Sequence, residues 1–268
     1  MAASRAGYRL NHLLGEGSFK VCFAATAEDG TDVAFKVLKP HTEIVRTQRE
    51  LAAMHKCDHP NIARCLDSGA VTVNAARIDY VVEERFEAGS LRDQLVAGLL
   101  SRAVVIDIGT QLIDAIAHIR KHDLVHRDIK PDNIMFSRDG RPVLTDFGIV
   151  RALTETSLTA TASPYGLGTP SYMPAEQFFN RKQMINWRAD QFALGVTLGV
   201  AGLGLHPFGD TLRRQVDTIS QNERPSGEFV TAARERGLPV LIRMVQPYPV
   251  QRYAEPSLLK EDWIAQKP

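Results

Sequence analysis

The sequence is poor in the features that mark secreted, fibrous or membrane-spanning chains. It has three cysteines, Cys22, Cys57 and Cys65, scattered and with no Cys-x-x-Cys pair. That excludes a disulfide framework and paired zinc ligands, and reduced thiols in a cytoplasmic protein are the expectation. No uncharged apolar run reaches the roughly 18 residues a membrane helix needs. The nearest approach, Leu194 to Leu205, carries four glycines and reads as a buried helix running into a turn. The first residues, MAASRAGYRL, lack the apolar stretch of a secretion signal. Neither sign of charge dominates, with 32 Lys and Arg against 31 Asp and Glu. A net charge of +1 gives no global attraction to nucleic acid or an anionic membrane. No repeat at a fixed period is evident.

What is present is an ordinary globular mixture, 44% hydrophobic and 24% charged over 268 residues. Such a chain can bury a sizeable core, as one large domain or two modest lobes. Residues 8 to 38 alternate in short apolar segments and predict a strand, a glycine-containing turn, then a strand, an Asp-Gly turn and another strand. Thr42 to His55 switches to helical period. Ala70 to Val73 and Ile78 to Glu84 predict two more strands. Beyond Ser90, helices dominate. Ser101 is placed to cap a helix running to His122, with Val104, Ile108, Leu112, Ala115 and Ile119 on one stripe. Arg188 to Val200 predicts a very apolar helix, and Leu238 to Trp263 short helices broken by prolines. The shift of composition at Glu84 to Gly89 predicts the lobe boundary. His118 and His122, at i and i+4, could in principle bind zinc, but the sequence places no carboxylate or third ligand beside them, so a solvated helix face is the expectation.

Several short motifs carry chemistry. Gly15-Glu16-Gly17-Ser18-Phe19-Lys20-Val21 places glycines two apart in a strand-turn-strand, where backbone amides can approach phosphate oxygens. Val33-Ala34-Phe35-Lys36 puts one ammonium on the Ala34 side of a strand. Either alone is compatible with a plain hairpin and a surface lysine. The run His126-Arg127-Asp128-Ile129-Lys130-Pro131-Asp132-Asn133 is different in kind, because an acid, a lysine and an asparagine at that spacing can face one point. Asp146-Phe147-Gly148 follows a strand-like segment and offers a second metal ligand beside a glycine.

In this order, with the later segment Gly168-Thr169-Pro170-Ser171-Tyr172-Met173-Pro174-Ala175-Glu176, the motifs resemble the eukaryotic-like (Hanks-type) serine/threonine protein kinase family, with the texture of its bacterial members. The resemblance runs from Tyr8 to about Trp263. It implies an α+β, bilobal protein-kinase-like fold: residues 1–84 as a small antiparallel sheet with one helix that binds nucleotide, and 85–268 as a larger, mainly helical lobe that carries catalysis and binds substrate. It implies ATP and Mg2+ as cofactors, Mn2+ as a substitute, and protein substrates with Ser or Thr acceptors.

The resemblance also assigns roles. Gly15 and Gly17 would cover the phosphates, and Lys36 would hold the α- and β-phosphates with Glu50 as its helix partner. Asp128 would take the substrate proton, and Lys130 would steady the γ-phosphoryl. Asn133 and Asp146 would bind metal. Val21, Ala34 and Met135 would enclose the adenine, and Glu84 to Phe86 would form the hinge that meets it. Asp190 would cap the catalytic loop from a buried helix, and Glu176 would pair with Arg252. Between Gly148 and Gly168 lie many hydroxyls. Arg127 and Arg151 predict a pocket for a phosphate there, so autophosphorylation at Thr161 or Ser163 is the expectation.

Three positions depart from the family. Lys20 replaces the third loop glycine, either adding a cation near the phosphates or pointing to solvent. Pro174-Ala175-Glu176 exchanges the usual alanine and proline. Glu83 falls where an apolar residue usually lies behind the adenine, and a buried carboxylate is costly unless paired. No catalytic group is lost, which opposes a nucleotide-binding pseudokinase scaffold. The Gly168-Thr169-Pro170 segment opposes a small-molecule kinase on the same fold.

Overall fold

The computed structural model describes residues 2–17, 20–39, 55, 57–146 and 170–266. The described residues divide into two compact units. The first holds the residues up to His59 together with Ala63–Glu87, and the second holds Pro60–Ile62, the residues from Ala88 to 146 and those from 170 onward. The helix expected over Thr42 to His55 falls almost wholly outside the described residues, as do Glu50, Thr161 and Ser163.

The first unit is built on a five-stranded antiparallel sheet, in the order β1-β2-β3-β5-β4. Its strands are β1 (Tyr8–Glu16), β2 (Lys20–Ala27), β3 (Asp32–Leu38), β4 (Cys65–Val73) and β5 (Ala76–Glu84). The Asp-Gly signal turns β2 into β3 as expected. Gly30 adopts φ +87°, and Asp29 Oδ1 accepts the Thr31 N–H at 2.9 Å. Val33 and Phe35 point to one face, where Phe35 lies between Tyr8 and Tyr80 at ring distances of 5.3 and 5.1 Å. Ala3, from the short helix α1 (Ala2–Arg5), joins that cluster. The opposite face carries Ala34, Lys36 and Leu38, with Val81 and Glu83 of β5 beside them.

β4 begins at Cys65, five residues before the expected Ala70. The stretch Leu66-Asp67-Ser68 reads as loop because Asp67 disfavours strands. Asp67 is accommodated because its carboxylate accepts the hydroxyls of Tyr8 and Tyr80 at 3.1 and 3.2 Å. Burial and this carboxylate together push the Tyr8 hydroxyl up to about 12.

The second unit is mainly helical. Its helices are α2 (Leu91–Val96), α3 (Arg102–Lys121), α4 (Ala175–Phe178), α5 (Trp187–Leu203), α6 (Leu212–Ser220), α7 (Gly227–Glu235), α8 (Val240–Met244) and α9 (Pro256–Ala265). A two-stranded ribbon pairs β6 (Ile134–Phe136) with β7 (Pro142–Leu144). Ser101 caps α3 as expected. The stripe is displaced at its start, however: Val104 is 42% exposed and Val105 is buried in its place. His118 and His122 are half-buried rather than solvated, with their rings 4.9 Å apart.

α5 is buried along nearly its whole length. Its glycines allow close approach: a Cβ at Gly199 would lie 2.7 Å from Phe229, and one at Gly195 2.8 Å from Met244. Both tryptophans, Trp187 and Trp263, are buried in this unit. Trp263 donates from Nε1 to the Ile106 carbonyl at 3.0 Å and lies flush over Gly109.

The chain gives Pro60–Ile62 to the second unit before returning to the first. Asn61 explains this. Its amide donates to the Pro142 carbonyl at 2.7 Å and to Gln111 at 2.8 Å. Its carbonyl accepts the Leu144 N–H at 2.9 Å. The division therefore differs from a single cut at residue 84.

Candidate active site

In the second unit the chain from His126 to Asn133 forms an irregular loop held at several points. Asp190, fully buried in the first turn of α5, accepts the N–H of His126 and of Arg127, each at 2.8 Å. Burial pushes its carboxyl up to about 6 from the ordinary 3.8, against the pull of those two N–H donors. His126 is itself buried, with Nε2 3.0 Å from the Thr145 carbonyl. Arg127 adopts φ +66°, a left-handed conformation that side chains disfavour. Its carbonyl accepts from Gln177 Nε2 at 2.7 Å. Asp190 and Gln177 thus clamp the strained residue from its two ends.

The residue that follows is Asp128. Asn133 Nδ2 donates to the Asp128 carbonyl at 2.8 Å and to its Oδ2 at 2.9 Å. Lys130 Nζ lies 3.3 Å from the same Oδ2. Both side chains of this pair keep some exposure, 16% for Lys130 and 18% for Asp128. The carboxylate is therefore oriented by neighbours and remains accessible, as a proton acceptor must be. Pro131 opens the 3-10 turn to Asn133, which fixes the spacing between Lys130 and Asn133.

Asp146 stands just past β7 with φ +63°, a second strained backbone position. Thr145, beside it, donates its N–H to the Asn133 carbonyl at 2.9 Å and so ties the two segments together. With its amide hydrogens turned to Asp128, Asn133 presents its side-chain oxygen in the other direction. A carboxylate and an amide oxygen are hard donors of the kind Mg2+ and Mn2+ take, so the residues fit a divalent ion. Phe147 and Gly148 lie outside the described residues. Met135 sits on β6, half-buried and paired with Val143.

In the first unit, Gly15 lies on β1 opposite Cys22, and Gly17 follows the strand with its N–H donating to the Lys20 carbonyl at 2.9 Å. Among the described residues nothing lies within 4 Å of where a Gly15 Cβ would stand, so that backbone is open there to a close-approaching group. Lys20 opens β2 opposite Leu38. Val21 and Ala34 are on neighbouring strands, half-buried and buried respectively. The Glu84 carboxylate accepts from Arg64 at both Nε and the backbone N–H, at 2.9 and 3.1 Å. The Glu84 N–H is itself donated to the Arg64 carbonyl.

Lys36 is buried, and its ammonium is paired with Glu83. The expected partner, Glu50, lies outside the described residues. Glu83 is buried as anticipated, and pairing with Lys36 is what makes that tolerable.

Around Pro174 to Phe178, the Glu176 to Arg252 pair is present and almost wholly excluded from solvent. Arg252 gives its remaining donors to the carbonyls of Gln246, Pro247 and Arg188. The exchanged proline, Pro174, sits just before α4, and its carbonyl accepts from Gln177 and Phe178. Gln177 was not anticipated as a supporting residue. Its one signal in the sequence is an amide side chain next to Glu176, which reads as solvent-exposed until the fold buries it.

A sheet carrying a buried lysine, and a helical unit carrying the Asp128, Lys130, Asn133 and Asp146 set, define the protein kinase class of domain. Comparison with known proteins places the chain in the same class: the protein kinase domain family matches residues 8–264. The chain belongs to that family. Among its relatives, the probable serine/threonine-protein kinase PknB of Bifidobacterium longum is 33% identical over 217 residues, covering 76% of this chain and 31% of that protein. The serine/threonine-protein kinase PrkC of Bacillus subtilis is 34% identical over 210 residues, covering 75% of this chain and 31% of its own length. CBL-interacting protein kinase 33 of Oryza sativa is 29% identical over 265 residues, covering 96% of this chain and 56% of that protein. The chain thus spans roughly a third to just over half of these relatives.

Proposed function

We propose that this chain is a serine/threonine protein kinase that transfers the γ-phosphoryl of ATP, with Mg2+, to hydroxyls of protein substrates. The observation that carries the proposal is Asp128, oriented by Asn133 and Lys130 while its carboxylate stays accessible. Asp128 accepts the proton of an incoming Ser or Thr hydroxyl. The hydroxyl oxygen forms its bond to the γ-phosphorus as the bridging bond to the β-phosphate breaks, and ADP leaves. Lys130, beside Asp128, offsets negative charge on the transferring group. Lys36 holds the α- and β-phosphates, and Gly15 and Gly17 supply backbone amides to them. Asn133 and Asp146 would hold the metal, which when bound would neutralise phosphate charge; Mn2+ fits the same hard donors. Val21, Ala34 and Met135 supply apolar surface for the adenine, and Glu84 to Phe86 the polar edge.

The serine/threonine assignment is supported by Lys130 at 3.3 Å from Asp128 and by the similarity to the bacterial serine/threonine-protein kinases PknB and PrkC. A pseudokinase scaffold is the second reading, and the filled set Lys36, Asp128, Asn133 and Asp146 weighs against it. We extend the proposal to self-phosphorylation at Thr161 or Ser163, on the strength of the hydroxyl-rich run before Thr169. A cytoplasmic location is supported by three free cysteines. Among the described residues no helix is long and apolar enough to cross a membrane.

The test is Asp128→Asn in a radiolabelled transfer assay with Mg2+ and ATP. Transfer should fall to background while nucleotide binding stays near wild type. Transfer at the wild-type rate would overturn the assignment, and lost ATP affinity would move Asp128 to the metal ligands.

A further inference from the structure

The sheet of the first unit contains a charge pair that the phosphoryl-transfer chemistry above does not require. Lys36 on β3 and Glu83 on β5 are ion-paired, with side chains only 6% and 4% exposed. The register explains the encounter. Ala34 stands opposite Glu83 and Lys36 opposite Val81, so Lys36 and Glu83 are diagonal neighbours on one face of two hydrogen-bonded strands. Diagonal positions are within reach of long side chains, and the backbone ladder fixes both Cα atoms. No loop or helix has to move for the pair to form.

The surroundings hold the pair in place. Leu38 and Val81 form a buried apolar cluster beside it, with Cys65 packed against them. Cys65 faces Glu83 across β4 and β5. Its thiol is pushed up to about 12, first by burial and then by the Glu83 charge. Cys65 is therefore a neutral, unreactive wall. In such a medium a carboxylate beside an ammonium is a strong orienting force.

We infer that Glu83 is a positioning residue for Lys36: a carboxylate carried by the sheet itself that presets the phosphate-holding ammonium independently of the segment bearing Glu50. This rests on the reading of Lys36 as the phosphate-holding lysine. Two consequences separate it from a purely structural role. Without Glu83 the buried ammonium gives up its proton more readily and becomes nucleophilic. Its aim at the phosphates is also lost, which weakens nucleotide capture before any chemistry occurs.

The experiment uses the full chain and the variants Glu83→Gln, Glu83→Asp and Lys36→Met. Three quantities are read from each: the melting temperature, the binding of a fluorescent ATP analogue, and the labelling of Lys36 by an amine-acylating reagent at pH 7, followed by mass spectrometry of its peptide. Glu83→Gln should weaken nucleotide binding by about tenfold or more, by analogy with the loss when the hydrogen-bond partner that orients a metal ligand is removed. It should also raise Lys36 labelling by a similar factor. Glu83→Asp keeps the charge on a shorter stem and should fall between. If Glu83→Gln does not fold, Glu83→Asp carries the test, because a shifted carboxylate must still change both readouts. Unchanged binding and labelling in a folded Glu83 variant would overturn the inference. Tighter binding would also overturn it, showing that Glu83 restrains Lys36 rather than presenting it. Neither readout needs turnover. If Lys36→Met leaves nucleotide binding intact, it is the role of Lys36 that fails, and the two failures are told apart.

Discussion

Replacing Asp190 by Asn should leave the protein folded and nearly as stable, yet remove most of its turnover. The two effects come from different terms. At pH 7 the buried carboxylate is ionised although burial has moved its carboxyl from 3.8 to about 6. At about 1.4 kcal/mol per tenfold change, the native state carries a penalty of about 3 kcal/mol, which the neutral amide escapes. Against this, Asn has one acceptor oxygen for two N–H groups that Asp190 now satisfies at 2.8 Å each. Losing one charge-assisted bond costs about 1.5–3 kcal/mol. The sum lies within about 1–2 kcal/mol of zero. The loop fares worse. Arg127 at φ +66° holds a conformation worth about 1–3 kcal/mol of strain, and half its anchor is gone. A shift of about 1 Å at Asp128 is enough to cost roughly 100-fold in rate. Urea unfolding at pH 7, paired with phosphate transfer to a Ser/Thr-containing protein at saturating ATP, measures both. A loss of more than about 4 kcal/mol in stability, or full activity in the folded variant, would refute the reasoning.

Acid titration adds a related test. Asp190 keeps its proton up to about 6 in the folded protein, whereas the unfolded chain releases it near 3.8, so its penalty fades as pH falls through that window. His206 acts in the opposite direction. It is buried and neutral, Nε2 bonds the Ser171 carbonyl at 2.9 Å, and burial depresses it to about 4 from 6.5. Stability from His206 is therefore lost as pH falls from 6.5 toward 4, by up to about 3 kcal/mol. His206→Gln should flatten that loss, checked by urea midpoints between pH 7 and 4.5; an unchanged difference from wild type across that range would disprove it. Glu176→Ala strands the buried Arg252 guanidinium and should cost about 3–5 kcal/mol, read by thermal melting. Gly109→Ala drives a methyl into Trp263 and should lower the melting temperature with a shift in tryptophan emission. Mass spectrometry of protein made with active enzyme and with Asp128→Asn should find phosphate on Thr161 or Ser163 only in the former.

Much of the fold was legible because its signals are local. The Asp29-Gly30 turn, the Ser101 cap and the apolar run of α5 each specify an element within a few residues. β4 was only partly legible, since Asp67 is tolerated in a strand through hydroxyls from Tyr8 and Tyr80, neither adjacent to it in sequence. Val104 matched the helical period yet faces outward, because a stripe shifts by one position in the first turn without changing its count. The motif residues could be named from the sequence. Two of their supports could not: Gln177 reaching the Arg127 carbonyl, and Glu83 on Lys36, depend on register and burial. The carboxylate at Glu83 was visible as an anomaly, and only its neighbour across the sheet explains it.

The burial of both tryptophans in the helical unit has a spectroscopic consequence. Trp187 and Trp263 are 5% and 0% exposed, and the sheet unit contains neither. Indole emission therefore watches one half of the chain. If the sheet melts first, tryptophan fluorescence will stay blue-shifted and report a native protein, whereas near-ultraviolet dichroism from the stacked Phe35 and Tyr80 will already have collapsed. Disagreement between these two optical signals would be a direct measure of how independently the units come apart.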